Sequence, residues 1–435
     1  MTHDRVAVAL LILTLGTLAA VGWGVSRPGP KRTLRSRPSA AAEPRPASLA
    51  APAPPVPLAL KVLTNGGRQR HHPPPGETRR YTLPLSKDQY LHLVVEQFGV
   101  DIAATIRDPS GQRLLRVDSP TDDKGPEDLF LATGSAGPYL LEVASPEGAG
   151  GGRYEIRIEA LRVATDEDRD RAAAAAAFSM ARLIQREETG SPEAAAAAYR
   201  DAARLWRKVG DEEREAWALY RLGKMYSDDS GRCCEATAAL ERAVQLFGEV
   251  SRPKQQALSL YYLGEARACR GDLDSAAGTY EQALTSWEQQ GNRFEQATTL
   301  NSLAIVRRYQ GRTHTAIDLF SRAVEIWHEL REWGDLATTH ANLGVLYVSL
   351  GESRLALEQY RRALAFLERQ PDPLQKAVIL SKQGDALLGI GRLEEALERY
   401  EEALALRRRW REIRGEGITL NGIGRVNLAM NRPRE

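Results

Sequence analysis

Cysteine is scarce in this chain of 435 residues: Cys233, Cys234 and Cys269 are the whole supply. Three thiols cannot build a disulfide framework, and no Cys/His spacing of the zinc type accompanies them. Signatures of catalysis are lacking too. There is no HExxH, no GxSxG and no glycine-rich loop set between a strand and a helix. No catalytic residues, cofactor site or metal site are therefore expected. Nor does one sign of charge prevail, since 59 Lys and Arg stand against 57 Asp and Glu. The layout is nonetheless uneven. Between Ser26 and Arg80 eleven basic residues face two acids, about +9, so the chain from Tyr81 onward sums to about −7. That excludes a basic face for nucleic acid.

Only one stretch is long and uncharged, "VAVALLILTLGTLAAVGWGV" at 6–25. As a helix its twenty residues would span about 30 Å, enough for a bilayer. Residues 1–25 are read as a transmembrane or signal segment, with Ala19 and Ala20 permitting cleavage. Arg27, Lys31, Arg32, Arg35 and Arg37 follow it against Arg5 before it, which favours a cytoplasmic C-terminal side. Residues 26–57, rich in Pro, Ala and Arg, read as an extended, disordered linker. His71 and His72 in "RHHPPPGE" lack further ligands nearby.

Residues 58–162 carry short alternating runs such as "RRYTLPL", "QYLHLVVEQF", "YLLEVAS" and "RYEIRIEAL". Turn chemistry separates them at "DPSG", "GSAGP" and "EGAGGG". Seven or eight strands with no helix signal predict an antiparallel β-sandwich. The pairing "GPYLLEVAS…GRYEIRIEA" resembles the closing strands of bacterial pre-peptidase C-terminal (PPC-like) domains. That resemblance implies an accessory binding or spacer module outside the cytoplasm. It opposes the basic flank, and with the Pro/Ala stalk it favours an extracytoplasmic place for the domains.

From about residue 163 the pattern becomes helical and repeats every forty residues. One column reads Gly223, Gly264, Ala304, Gly344, Gly384 and Gly424; a turn column runs from Gly190 and Gly231 to Gly391. Ala195, Ala236, Ala276, Ala316, Ala356 and Ala396 are followed four residues later by Tyr199, Leu240, Tyr280, Phe320, Tyr360 and Tyr400, and three further on by Ala202 through Ala403. Small residues let helix backbones approach and the large one fills the adjoining hole. A helix pair cannot bury its apolar faces alone, so such pairs stack. The columns "LG" and "A-x3-Y-x2-A" resemble the tetratricopeptide repeat (TPR), in a forty-residue variety like that of kinesin light chains. Six units over 163–412 and a lone first helix over 413–435 are expected, as a right-handed all-α solenoid. Arg267 and Arg307 stand where the family usually has Tyr.

The lone helix reads as the start of a seventh repeat in a longer chain. The order of membrane segment, sandwich and TPR array resembles bacterial proteins ending in a CHAT domain, a caspase-like protease fold, whose catalytic pair would lie past Glu435. His340 stands in a leucine column and reads as core; His314 and His328 read as helix surface. The function that fits is a protein–protein interaction scaffold holding a peptide or partner domain. The alternative is the regulatory or substrate-positioning part of a CHAT-type protease. The family pattern places groove residues three before and four beyond the "LG" glycine, which selects Tyr220, Tyr261, Asn301, Arg308 and Asn421, with Trp217 one turn before Tyr220. Simple packing is the competing reading for Trp217 and Tyr220. Stacking should also bring Cys269 beside Cys233 and Cys234.

Overall fold

The computed structural model describes residues 61–62, 68–117, 124–146, 152–186, 190–227, 229 and 231–431. The predicted membrane segment, the Pro/Ala linker and most of the "EGAGGG" turn lie outside the described residues. Among those described, no helix is long and apolar enough to cross a membrane. The chain forms two compact units, Met1–Leu222 and Gly223–Glu435.

In the first unit, nine strands among the described residues make two sheets. One has the order β1 (Lys61–Val62), β3 (Thr78–Leu85), β8 (Gly137–Ala144), β5 (Ala103–Arg107), β6 (Arg113–Val117). The other has the order β2 (Arg68–His71), β9 (Arg153–Val163), β4 (Gln89–Phe98), β7 (Lys124–Ala132). Alternation decides which side chains turn inward: Tyr81, Leu83 and Leu85 on β3, and Tyr139, Leu141 and Val143 on β8, are buried between exposed or half-buried neighbours. They share one core with Leu93, Val95, Leu129 and Ile156 of the other sheet. The Tyr81 and Tyr154 hydroxyls meet across it at 2.9 Å. The prediction of a wholly antiparallel sandwich needs one correction. The edge strand β1 pairs parallel to β3, because the chain then leaves for the other sheet, where β2 pairs with β9, rather than turning back as a hairpin.

The "DPSG" turn is built by Asp108, whose Oδ1 accepts from the Ser110 hydroxyl and from the Ser110 and Gln112 amides. Those bonds, the Ser110 hydroxyl first, hold its carboxyl below the usual range. Helix α1 (Asp166–Arg186) follows β9 at once. Thr165 and Asp168 bond each other's amides as a reciprocal cap at its start. Burial would raise the Asp168 carboxyl, but bonds from Thr165 and Arg162 keep it low. Helices α2 (Pro192–Lys208) and α3 (Glu212–Ser227) complete the first unit as far as Leu222. α1 lies on β6 and β7, and Ala174, Ala202, Trp206 and Ala218 join the sandwich core.

The second unit stacks α4 (Cys233–Glu249), α5 (Pro253–Cys269), α6 (Leu273–Gln290), α7 (Arg293–Tyr309), α8 (Thr313–Leu330), α9 (Trp333–Ser349), α10 (Ser353–Leu367), α11 (Pro373–Gly389), α12 (Leu393–Arg409) and α13 (Ile413–Ala429). With α1 to α3 these make thirteen helices among the described residues. Proline at the first helical position starts α5 and α11, and Asp272, Asn292 and Asp372 cap α6, α7 and α11. The turn glycines Gly271, Gly311, Gly351 and Gly391 take φ of 79°, 73°, 77° and 75°, a conformation that favours glycine. All twelve column alanines are wholly buried, as are Tyr199, Leu240, Tyr280 and Phe320. A fully buried Leu or Phe contributes roughly 1.5–3 kcal/mol each, so these columns hold the stack.

Candidate partner-binding surface

In the second unit α5, α7, α9, α11 and α13 are the first helices of their pairs. Adjacent first helices approach one another more closely than adjacent second helices do. Polar side chains join these helices along one strip. The Tyr261 hydroxyl on α5 lies 3.2 Å from Ser302 Oγ on α7. Asn342 Nδ2 on α9 donates to Asn301 Oδ1 on α7 at 3.2 Å. Tyr261 also packs against Tyr280 at a ring separation of 5.7 Å. Burial first, then the nearby Glu265, pushes its phenol well above the ordinary value, so it stays a neutral donor or acceptor.

Arg308, one turn past Ala304, rests its guanidinium over the Tyr309 ring at 4.3 Å. Two first helices on, in α11, burial pushes the Lys382 ammonium below its ordinary value, against the pull of Asp385 and helped by Arg308 and Arg407. Asp385 accepts from the Tyr400 hydroxyl at 2.7 Å and from Arg425 at 3.0 Å. The strip thus runs from amide and hydroxyl groups on α5 to α9 into a cationic stretch balanced by one carboxylate. It can hydrogen-bond a peptide backbone and attract an acidic group.

The expected groove residues are not brought into one site. Tyr261 lies on α5, and Asn301 and Arg308 lie on α7, the next first helix. Asn421 is exposed on α13. Trp217 and Tyr220 belong to the first unit, where their rings meet at 5.8 Å and Tyr220 is buried. Trp217 is half-buried. Sequence reasoning missed Ser302, Asn342 and Lys382, which stand two residues before the "LG" position. The signal was present as a polar column one place from the column chosen.

The family departures at Arg267 and Arg307 are explained by partners. Arg267 bonds Glu241 at 2.8 Å, and Arg307 bonds Glu281, in each case 26 residues back and one past the large core residue. Where Tyr is kept, at Tyr347, the corresponding position is Ser321. His340 is core, as expected: it is 6% exposed, 2.8 Å from Gln359 Oε1 and stacked on Phe366. His71 pairs with Glu77 at 2.5 Å. No cluster of metal-binding side chains occurs among the described residues.

Comparison with known proteins adds to this geometry. The tetratricopeptide repeat model matches residues 295–369 and 375–435, and the model of soluble NSF attachment protein matches 171–323. No curated protein matches the chain. Among solved structures it is similar to BtubC (BKLC) from P. vanneervenii, at 22% identity over 57% of this chain and 93% of that one, with a TM-score of 0.39. A putative kinesin light chain of Podosopora anserina with nearly identical TPR-like repeats is 18% identical over 45% of this chain and 96% of its own, at 0.39. The apo form of RapI is 13% identical over 59% and 98%, at 0.44. With forty-residue helix pairs and small and large residues in fixed columns, residues 295–369 and 375–435 match the tetratricopeptide repeat family.

Proposed function

We propose that this chain is a protein-interaction scaffold that holds a peptide or partner domain along the first helices of its repeats. The observation that carries the reading is the strip Tyr261–Ser302 and Asn301–Asn342 with Arg308 beyond it. Half-buried amides and a neutral phenol are fixed in place by their neighbours, so they lose little freedom on binding. Partner capture tests it. Asn301→Ala with Arg308→Ala should abolish capture of a bound protein, while unfolding stability stays within about 1 kcal/mol, the scale of one lost hydrogen bond. Unchanged capture by the folded double variant would withdraw the site. The CHAT-protease alternative rests on domain order alone and gains no support from the described residues.

We also infer that residues 6–25 anchor or export the chain and that its domains lie outside the cytoplasm. The uncharged segment and the Pro/Ala-rich stalk support this, and so does a disulfide between Cys233 and Cys269, a bond that persists in oxidising compartments. A reporter enzyme fused after residue 60 should be active on the outer side; activity confined to the cytoplasm would reverse the assignment.

A further inference from the structure

Cys233 opens α4 and is buried, Cys269 closes α5, and the two are bonded with their Cα atoms 6.0 Å apart. That separation is well suited to a disulfide. The bond joins the second helix of the second repeat to the first helix of the third. Corresponding joints hold other pairs: Leu273 with Tyr309, Thr313 with Ser349, Ser353 with Gly389, Leu393 with Ala429. The next joint is held by a hydrogen bond beside that pair, from Gln310 Nε2, one residue past Tyr309, to the Leu273 carbonyl. Stacking therefore needs no covalent tie at such a joint. The tie at this one is an addition to the fold.

We propose that Cys233 and Cys269 are an oxidative cross-linking site that clips the second repeat to the third and is opened by thiols. Its oxidant is a small-molecule or protein disulfide, RSSR. The Cys269 thiolate, the less buried of the two, attacks one sulfur and expels RS⁻. The Cys233 thiolate then attacks Cys269 Sγ in the mixed disulfide and expels the second RS⁻. Two protein thiols lose two electrons and two protons, and RSSR becomes two RSH. Cys234 is exposed and stays a free thiol. The helix held by the clip is α5, which carries Tyr261, so the bond limits how far that part of the strip can move.

The experiment uses the full chain equilibrated in glutathione buffers from reducing to oxidising, then denatured and alkylated for mass measurement. Under oxidising buffer one thiol, Cys234, should react and digestion should yield a peptide pair joined through Cys233 and Cys269. Under reducing buffer all three should react. The melting temperature should fall by about 5 °C or more on reduction, and hydrogen exchange should rise over residues 253–269. Cys269→Ser should remove both responses to the buffer, and Cys234→Ser should keep them even if the first variant folds poorly. Three reactive thiols at every ratio, a bond between Cys233 and Cys234, or a melting temperature indifferent to reduction would each overturn the proposal.

Discussion

His340 shows how one residue can depart from its column without harm. Four of the corresponding positions in other repeats are Leu260, Leu300, Leu380 and Leu420. The imidazole keeps its place by stacking on Phe366 and pairing Nδ1 with Gln359. Burial pushes its pKa down, with the Gln359 bond opposing and Arg362 adding. The unfolded chain protonates this histidine near its ordinary value of about 6.5, and the folded chain only at lower pH. The unfolded state thus binds more protons between those two values, so stability present above about pH 6.5 is lost as pH falls. His340→Leu should flatten that slope in denaturant titrations between pH 7 and pH 5. An unchanged slope would place the titrating group elsewhere. Arg407 departs further, standing where other repeats have Phe247, Trp287, Trp327 and Leu367, with Glu412 at 3.6 Å and Gly415 leaving room for its guanidinium.

At the level of helices, the small residue of one helix and the large residue of the next are a single device. A Cβ placed on Gly344 would lie 2.4 Å from the Tyr360 ring, on Gly384 2.9 Å from Tyr400, and on Gly223 2.5 Å from Leu240. At Gly424 a Cβ would meet nothing within 4 Å, and Leu420 beside it is 43% exposed where Leu380 is 1%. The same substitution should then act with opposite signs. Gly344→Ala should destabilise by about 1–3 kcal/mol through overpacking against a fully buried ring. Gly424→Ala should gain up to about 1 kcal/mol from helix propensity alone. Urea unfolding of the two variants reads both. A loss at Gly424 equal to that at Gly344 would mean that the face of α13 is filled.

Across the first unit, the sandwich and the first helices are one folded body. Phe130 of β7 meets Trp206 of α2 at 5.9 Å, and Arg214 of α3 reaches Asp128 at 2.7 Å while covering the Phe130 ring at 4.7 Å. His92 takes the other oxygen of Asp128 at 2.7 Å and stacks on Phe130. A chain starting at Thr165 would leave Trp206 and Ala202 without the surface that buries them. Such a fragment should show fast hydrogen exchange over residues 166–208 while residues 253–409 keep their protection. Equal protection in fragment and full chain would show that the first helix pair needs no sandwich.

What the sequence by itself determined was whatever has a period. Alternation placed the strands, and columns of glycine, alanine and tyrosine recurring every forty residues placed the helices and their buried faces. Those patterns are local, because each strand or helix must turn its own apolar side inward wherever it lies. Only the tertiary structure decided features that join residues with no common period. The parallel edge strand β1, the sharing of one core by Phe130 and Trp206, and the bond from Cys233 to Cys269 depend on which surfaces meet. The strip of Ser302, Asn342 and Lys382 falls between the two cases. Its residues stood in one column of the sequence, but which polar column faces the neighbouring first helix is set by the packing angle between helices, and no single repeat encodes it.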